Sequence, residues 1–184
     1  MDPGAHFGLF LNRSFLDSGT CARLLVEVNS SPTTQAPVYI EGTEGTIHED
    51  IRKTTSLHPS DETISNLWNR VVEQKSLLED HFGDSLTDCE RPQFLRYKEG
   101  DFFVRHQDGN TKQLDFDHLR VRRISIVVFL NNGFSGGALK FSDKSTSFDL
   151  AGETGLFVAF RADVFHEVAP VISGERFTMI TWFR

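Results

Sequence analysis

The hydrophobic pattern changes near the middle of the chain, from helical spacing to short runs separated by turn residues. Apolar residues at helical spacing predict a first helix over about 18–29, with Ser18 as its N-cap. A polar connection then ends at Pro37, and a short strand is predicted over 38–40. The first part of the chain therefore predicts mainly helix.

The clearest helix follows Pro59 and Ser60 and is predicted to end at Gly83, a residue typical of helix C-caps. Its apolar positions form one stripe, made of Ile64, Leu67, Trp68, Val71, Val72 and Leu78. Because Trp68 lies within that stripe, we interpret it as a core residue. A stripe of this kind needs a sheet or another helix to cover it.

After Pro92 the pattern predicts short strands rich in β-branched and aromatic residues. These are Phe94–Tyr97, Phe102–His106, Ile124–Leu130, Ala138–Phe141, Ser147–Leu150, Leu156–Phe160, His166–Val168 and Arg176–Phe183. Eight such strands after two helices predict an α+β fold, a sandwich or jelly roll braced by N-terminal helices. We expect a single domain over 1–184, with helical support over about 1–90 and a jelly-roll catalytic half over about 91–184.

Composition and charge narrow the class of protein. Hydrophobic residues make up 39% of the 184 residues and charged residues 24%, which indicates a globular domain. Nineteen Lys and Arg against 26 Asp and Glu argue against a broad basic surface for nucleic acid or a membrane. Cys21 and Cys89 are too few for a disulfide framework or a thiolate zinc site, so we expect a reduced, cytoplasmic setting.

One histidine and one carboxylate form the first candidate site. His106 and Asp108 are two positions apart, so both side chains face one cavity if their strand continues that far. Imidazole and carboxylate suit a divalent transition metal, and one more His would complete a two-His, one-carboxylate set. The alternative is an ordinary surface pair. His166 differs from the five remaining histidines because it lies in the β half, beside an apolar run.

Arg176 is the second candidate, because it begins an apolar strand where an inward cation needs an anionic partner. Thr178 is expected to share its face, and a guanidinium binds a carboxylate with two hydrogen bonds. The alternatives are pairing with a protein carboxylate or exposure on the strand surface.

The order and spacing of these motifs resemble the prolyl-4-hydroxylase-type iron(II)- and 2-oxoglutarate-dependent dioxygenases over residues 94–183. The motifs are Tyr97-x-x-Gly100-x-x-Phe103-x-x-His106-x-Asp108, Gly136-Gly137-Ala138-Leu139, His166-x-x-x-Pro170-Val171-x-x-Gly174-x-Arg176 and a closing Trp182. The segment 103–108 is particularly similar to the oxygen-sensing prolyl hydroxylases.

The resemblance implies a double-stranded β-helix, a cupin-like jelly roll with the metal at its mouth. It implies Fe(II) ligands and catalytic residues at His106, Asp108 and His166. It further implies that 2-oxoglutarate is bound by Tyr97, Arg176 and Thr178. Dioxygen is the co-reactant, and ascorbate is a candidate reductant. Phe129 stands where the oxygen-sensing relatives carry a Tyr that binds the cosubstrate, and four Phe are candidates for a dry wall around the site, at 102, 103, 129 and 141.

The activity implied is hydroxylation of a prolyl or other residue in a protein or peptide, with succinate and CO2 as co-products. A hydroxylase of a free amino acid or small metabolite is the alternative, and a non-catalytic β-sandwich binding module is the alternative from another class. Arg122 and Trp182 match peptide-contacting positions; the alternatives are a solvated loop charge for Arg122 and core packing for Trp182. The charged stretch 109–123 is a candidate lid or substrate reader, while the oligomeric state is left open.

Overall fold

The computed structural model of the protein describes residues 3–40, 43–111 and 116–184. Its helices are α1 (Pro3–His6), α2 (Ser18–Ser30), α3 (Asp61–Val72), α4 (Lys75–Phe82) and α5 (Asp117–Arg120). Its strands are β1 (Phe10–Asn12), β2 (Thr33–Gln35), β3 (Val38–Ile40), β4 (Thr43–Thr46), β5 (Arg52–Lys53), β6 (Thr55–Leu57), β7 (Gln93–Tyr97), β8 (Phe102–His106), β9 (Ile124–Phe129), β10 (Ser135–Gly136), β11 (Leu139–Ser142), β12 (Ser147–Leu150), β13 (Phe157–Arg161), β14 (His166–Val168), β15 (Val171–Ser173) and β16 (Arg176–Phe183). Among these helices, none has the length and apolar character needed to cross a membrane.

Two antiparallel sheets face each other. The large sheet has the strand order β1-β13-β9-β16-β7-β6-β2, and the small sheet has the order β12-β11-β14-β8-β5. Apolar side chains of β9 and β13 meet those of β11 and β12 between them. All eight predicted strands are present within about one residue of their expected bounds, and the predicted jelly-roll architecture is confirmed.

The segment before residue 61 also supplies strands to both sheets. β1, β2 and β6 extend the large sheet, and β5 forms one edge of the small sheet. These strands are short, and β2, β5 and β6 are largely polar, so hydrophobic periodicity does not reveal them. The strand predicted over 38–40 is present as β3, which pairs with β4 outside the two sheets.

The helices cover the outer face of the large sheet, where the largest apolar cluster lies. The helix predicted over about 18–29 is α2, which begins after Asp17. The Asp17 carboxylate accepts the Thr20 N–H at 2.8 Å, so Asp17 and not Ser18 is the N-cap. The long helix predicted up to Gly83 is interrupted, because α3 ends at Val72 and α4 begins at Lys75.

The interruption between α3 and α4 has a local cause. The Gln74 N–H donates to the Val71 carbonyl, three residues back, and this tighter turn changes the direction of the chain. Val72, the last residue of α3, is exposed and does not join the apolar stripe, whereas Leu78 is fully buried. Gly83 adopts a φ of +67° and ends α4 as predicted.

Candidate metal centre

A cavity of about 360 Å³ lies between the two sheets. It brings together all eight residues that the sequence marked as candidates: Tyr97, His106, Asp108, Arg122, His166, Arg176, Thr178 and Trp182. Strand β16 contributes three of them, Arg176, Thr178 and Trp182, because its even-numbered residues face the cavity.

Three potential metal ligands meet in this cavity. One side-chain atom from each of His106, Asp108 and His166 lies within 4.8 Å of the others. His106 ends β8 and lies directly opposite His166, the first residue of β14. The two histidines therefore reach one point from neighbouring strands of the small sheet.

A β-bulge in β8 sets the direction of His106. Phe103 and His106 oppose Val168 and His166, so three residue steps on β8 match two on β14. The extra residue puts Phe103 and His106 on the same face, and their rings stack with centroids 3.6 Å apart.

Asp108 reaches the site differently from the sequence expectation. The strand ends at His106, so strict alternation along β8 does not direct the carboxylate. Instead the backbone N–H groups of Asp108 and Gly109 both donate to the Ala162 carbonyl, at 2.9 and 3.1 Å. This pair of hydrogen bonds fixes the turn that follows β8.

Backbone carbonyls orient both imidazoles. The Nδ1–H of His106 donates to the Val104 carbonyl at 2.8 Å, and the Nδ1–H of His166 donates to the Val164 carbonyl at 3.0 Å. Because a carbonyl only accepts, each Nε2 keeps its lone pair. The two Nε2 atoms lie 3.4 and 3.5 Å from the oxygens of Asp108, in the arrangement that metal-ligating histidines adopt.

The protonation states also suit a metal. Burial lowers the pKa of His166 to about 4, an effect that neighbouring His106 increases and Asp108 opposes. Burial acts to raise the pKa of Asp108, but His166 and His106 hold it well below its ordinary value. Near neutral pH the site therefore offers an ionised carboxylate and a neutral His166 imidazole, the forms that bind a cation.

Ser125 is a residue of the site that sequence reasoning missed. Its hydroxyl donates to Oδ2 of Asp108 at 2.7 Å and so restricts the carboxylate. The available signal was a single hydroxyl in the apolar run Ile124–Phe129, since a buried polar group needs a partner.

Arg176 lies in the same cavity and is 1% exposed. Its Cζ atom lies 5.0 Å from the ring centroid of Tyr97 and 4.9 Å from that of Phe129. Its Nη1–H donates to the Thr178 hydroxyl at 3.3 Å, whereas its buried Nε has no partner. Burial lowers the pKa of Arg176 to about 10, which leaves the side chain charged at neutral pH.

No carboxylate within the described residues lies at ion-pair distance from Arg176, which removes the pairing alternative for that part of the chain. Gly137 permits the close approach of this side chain. It adopts a φ of +58°, and a Cβ there would lie 3.1 Å from Arg176 Cδ.

Arg122 has a different environment. Its Nε and Nη2 donate to the two carboxylate oxygens of Glu90 at 2.9 and 2.7 Å, and its Cζ lies 3.6 Å from the Trp182 ring. Both side chains are buried, so Arg122 is not a solvated loop charge. A substrate role for either residue stays a prediction. Residues 112–115 of the predicted lid lie outside the described residues.

Aromatic rings surround the metal ligands. Phe103 lines the cavity, and the Phe160 ring meets His166 edge-on with centroids 4.7 Å apart. Phe129 and Phe141 are fully buried behind the cavity, whereas Phe102 is absent from its described lining. These rings make much of the wall around the metal ligands apolar.

A jelly roll with two histidines and a carboxylate in its cavity is typical of non-haem metal oxygenases. Residues 92–184 match the family model of the 2OG-Fe(II) oxygenase superfamily, which is just over half of the chain. The chain belongs to this family, and the resemblance seen in its motifs is confirmed.

Curated relatives include PKHD-type hydroxylases of Cupriavidus pinatubonensis, 30% identical over 96 residues, and of a Psychrobacter species, 33% identical over 95 residues. Each match covers 50% of this chain but only 42% and 36% of the respective relative. The chain therefore aligns with less than half of the length of these proteins.

Solved structures match nearly the whole chain. A prolyl-4-hydroxylase of Pseudomonas putida is 25% identical with a TM-score of 0.70, covering 100% of this chain and 96% of that one. A Trichoplax adhaerens prolyl hydroxylase, solved with a peptide fragment of the hypoxia inducible factor oxygen degradation domain, has a TM-score of 0.76 at 17% identity. That match covers 99% of this chain and 86% of the other and supports the fold.

The residues present fit the two ligands named in the family description. Two imidazoles and one carboxylate form the donor set that suits Fe(II) with positions left open. The buried Arg176, whose Nε lacks a partner, suits the carboxylate of 2-oxoglutarate.

Proposed function

We propose that this protein is an Fe(II)- and 2-oxoglutarate-dependent dioxygenase that hydroxylates a prolyl or other residue in a protein or peptide. One observation carries the proposal: the His106, Asp108 and His166 cluster shares one cavity with the Arg176 guanidinium, which has no carboxylate partner among the described residues. One oxygen atom of dioxygen enters the substrate C–H bond as a hydroxyl group. The other enters succinate as 2-oxoglutarate loses CO2, so atoms and electrons balance.

Each group in the cavity has a defined task in this proposal. His106, Asp108 and His166 would hold the metal, and Ser125 would keep the carboxylate in position. Bound Fe(II) supplies the activation of dioxygen, with 2-oxoglutarate as the electron source. Arg176 would bind the far carboxylate of 2-oxoglutarate.

The surrounding residues would complete the cosubstrate site. Thr178 already accepts a hydrogen bond from Arg176 and would share the carboxylate with it. Tyr97, opposite Arg176 in the neighbouring strand β7, would donate a further hydrogen bond. Phe129 has no hydroxyl to contribute, so the proposal assigns this role to Tyr97 and Thr178.

A peptide substrate is favoured by the fold, which matches a prolyl hydroxylase that was solved with a peptide. A free amino acid or small metabolite is the second candidate, because a cavity of about 360 Å³ is large enough to enclose a molecule of that size. The two candidate substrates give different products, a hydroxylated peptide in one case and a hydroxylated amino acid or small metabolite in the other.

The test is turnover of 2-oxoglutarate to succinate in the presence of Fe(II), with proline-containing peptides and free amino acids as substrates. Mass spectrometry should detect a gain of one oxygen atom in one of these classes. Asp108→Ala should abolish this turnover. The matched control is Asp149→Ala, which removes an exposed carboxylate paired with Lys140 on the small sheet.

Succinate formation that Asp108→Ala leaves unchanged would contradict the proposal. Retained ligand binding without any turnover in the wild-type protein would favour a non-catalytic binding module instead.

A further inference from the structure

Besides Arg176 and Arg122, a third buried arginine lines the cavity, on the sheet opposite Arg176. Arg52, on β5 of the small sheet, is 9% exposed. Its Nη1–H donates to the Pro37 carbonyl at 3.1 Å, which anchors the guanidinium. Its Nε and Nη2 are both buried and have no hydrogen-bond partner among the residues that the structure describes.

The two unpartnered nitrogens form the edge of the guanidinium that binds a carboxylate. Nε–H and one Nη2–H point in the same direction and match the spacing of two carboxylate oxygens. Arg122 uses the same pair of nitrogens to bind Glu90 at 2.9 and 2.7 Å. Arg52 therefore has the same pair of donors as Arg122, but among the described residues no acceptor binds them.

Arg52 lies close to the metal ligands, in the lining of the same cavity. Arg52 lies opposite Phe103 in the sheet, and its Cζ is 4.8 Å from the Phe103 ring centroid. The same ring stacks on His106, so one aromatic ring separates the cation from the metal centre. Arg176 belongs to the large sheet and is held by Tyr97 and Phe129.

The charges of the cavity are unbalanced. Among the described residues that line it, Asp108 is the one carboxylate, and it faces the two histidines. A buried guanidinium that lacks an anionic partner is unfavourable, because burial removes much of its hydration. After 2-oxoglutarate is assigned to Arg176, Arg52 still lacks an acceptor.

We propose that Arg52 binds a carboxylate of the substrate and holds the reacting C–H bond beside the metal centre. This inference rests on the proposed function and narrows its substrate class. The carboxylate would be an acidic side chain of a peptide or the α-carboxylate of a small acid. Either kind of substrate offers the carboxylate group that the Nε and Nη2 edge of Arg52 would bind.

Matched probes distinguish these sources. N-acetyl-L-proline and its amide test a free α-carboxylate, whereas acetyl-Pro-Glu-amide and acetyl-Pro-Gln-amide test an acidic side chain. The probes are added to protein loaded with Mn(II) and 2-oxoglutarate, and NMR relaxation of their protons reports binding close to the paramagnetic ion. Mn(II) occupies the same type of site without turnover.

We expect one carboxylate probe to bind about 10- to 100-fold more tightly than its amide, the range of a charge-assisted hydrogen-bonded pair. Arg52→Gln should remove this preference, and Arg52→Lys should keep part of it, since a lysine retains the charge but not the paired donors. Lys53→Gln is the matched control, because it removes the charge of the neighbouring, half-exposed residue, which is paired with Asp101 and does not line the cavity.

The preference of one pair over the other identifies the source of the carboxylate. Equal binding of acid and amide in both pairs would overturn the inference, as would an unchanged preference in Arg52→Gln with native circular dichroism. Weaker 2-oxoglutarate binding in Arg52→Gln, with the probe preference intact, would also overturn it by assigning Arg52 to the cosubstrate. The 2-oxoglutarate signals of the wild-type protein test the proposed function separately.

Discussion

The two faces of β16 serve different ends. Phe177 and Met179 point to the helices and join the largest apolar cluster, whereas Arg176 and Thr178 point into the cavity. Both faces are buried, so burial alone does not distinguish them. On the helix face, Phe177, Met179 and Phe183 join the apolar cluster and the Thr181 hydroxyl donates to the Glu90 carbonyl. The cavity face instead contains a cation without a carboxylate partner among the described residues.

The two faces of β16 are therefore expected to contribute to different properties, the helix face to the stability of the fold and the cavity face to ligand binding. Substitutions on the helix face should lower the free energy of unfolding, and substitutions on the cavity face should lower ligand affinity with little loss of stability. Arg122 provides an internal standard, since it is a cavity-facing arginine whose edge is already bound by Glu90.

The largest expected effect is on cosubstrate affinity in Arg176→Met. Removing one partner of a buried charge pair costs about 2–5 kcal/mol, so 2-oxoglutarate affinity should fall on the order of a hundredfold to a thousandfold. Calorimetric titration of the metal-loaded protein measures this loss. The unfolding midpoint of the ligand-free protein should stay the same or rise, because the buried guanidinium has no carboxylate partner to lose. A large loss of stability would show that Arg176 is a structural residue.

Arg122→Met should behave in the opposite way. It leaves the Glu90 carboxylate buried without its bidentate partner, for which we expect a loss of about 3 kcal/mol in the free energy of unfolding. Arg184 also contacts Glu90, at 3.3 Å, and limits the loss. Urea denaturation measures the change. Unchanged stability together with weakened peptide binding would instead favour the predicted substrate role.

Met179→Ala and Ile180→Ala compare the two faces directly. Met179 is fully buried against the helix-side core, and truncation there should cost about 3 kcal/mol. Ile180 borders the cavity, so its truncation should cost less than half of that amount. Equal losses in urea denaturation would contradict the separation of the faces.

The smallest effect is expected at Ser125. Ser125→Ala removes the hydrogen bond to Oδ2 of Asp108 and should weaken metal affinity by about 10- to 100-fold, as is typical for groups that orient a ligand. Competition with a metal-binding dye measures it. Thr181→Ala, which removes a buried hydroxyl from the opposite face of the large sheet, is the control and should leave metal affinity unchanged.

The β half of the fold was predictable because its strands are short apolar runs between strong turn residues. Ser147–Leu150 and His166–Val168 have their predicted bounds. The first half was predicted less well, since β2, β5 and β6 are polar and are held by pairing with distant strands. The break after Val72 depends on one backbone hydrogen bond and leaves the periodicity of the helix almost intact.

The candidate site shows the same limit. The motifs placed His106, Asp108 and His166 in the cavity where the structure brings them together. The roles of Ser125 and Arg52 could not be predicted, because their partners are distant in the chain or, for the free edge of Arg52, absent among the described residues. The bidentate contact between Arg122 and Glu90 likewise joins residues that no local pattern connects.

The central claim is that one cavity holds both Fe(II) and 2-oxoglutarate. An anaerobic titration of the purified protein with both ligands tests it directly through the visible metal-to-cosubstrate charge-transfer band. We predict a saturable band in the wild-type protein that is lost in Asp108→Ala and requires much more 2-oxoglutarate in Arg176→Met. A folded wild-type protein that develops no band with iron available would contradict the account.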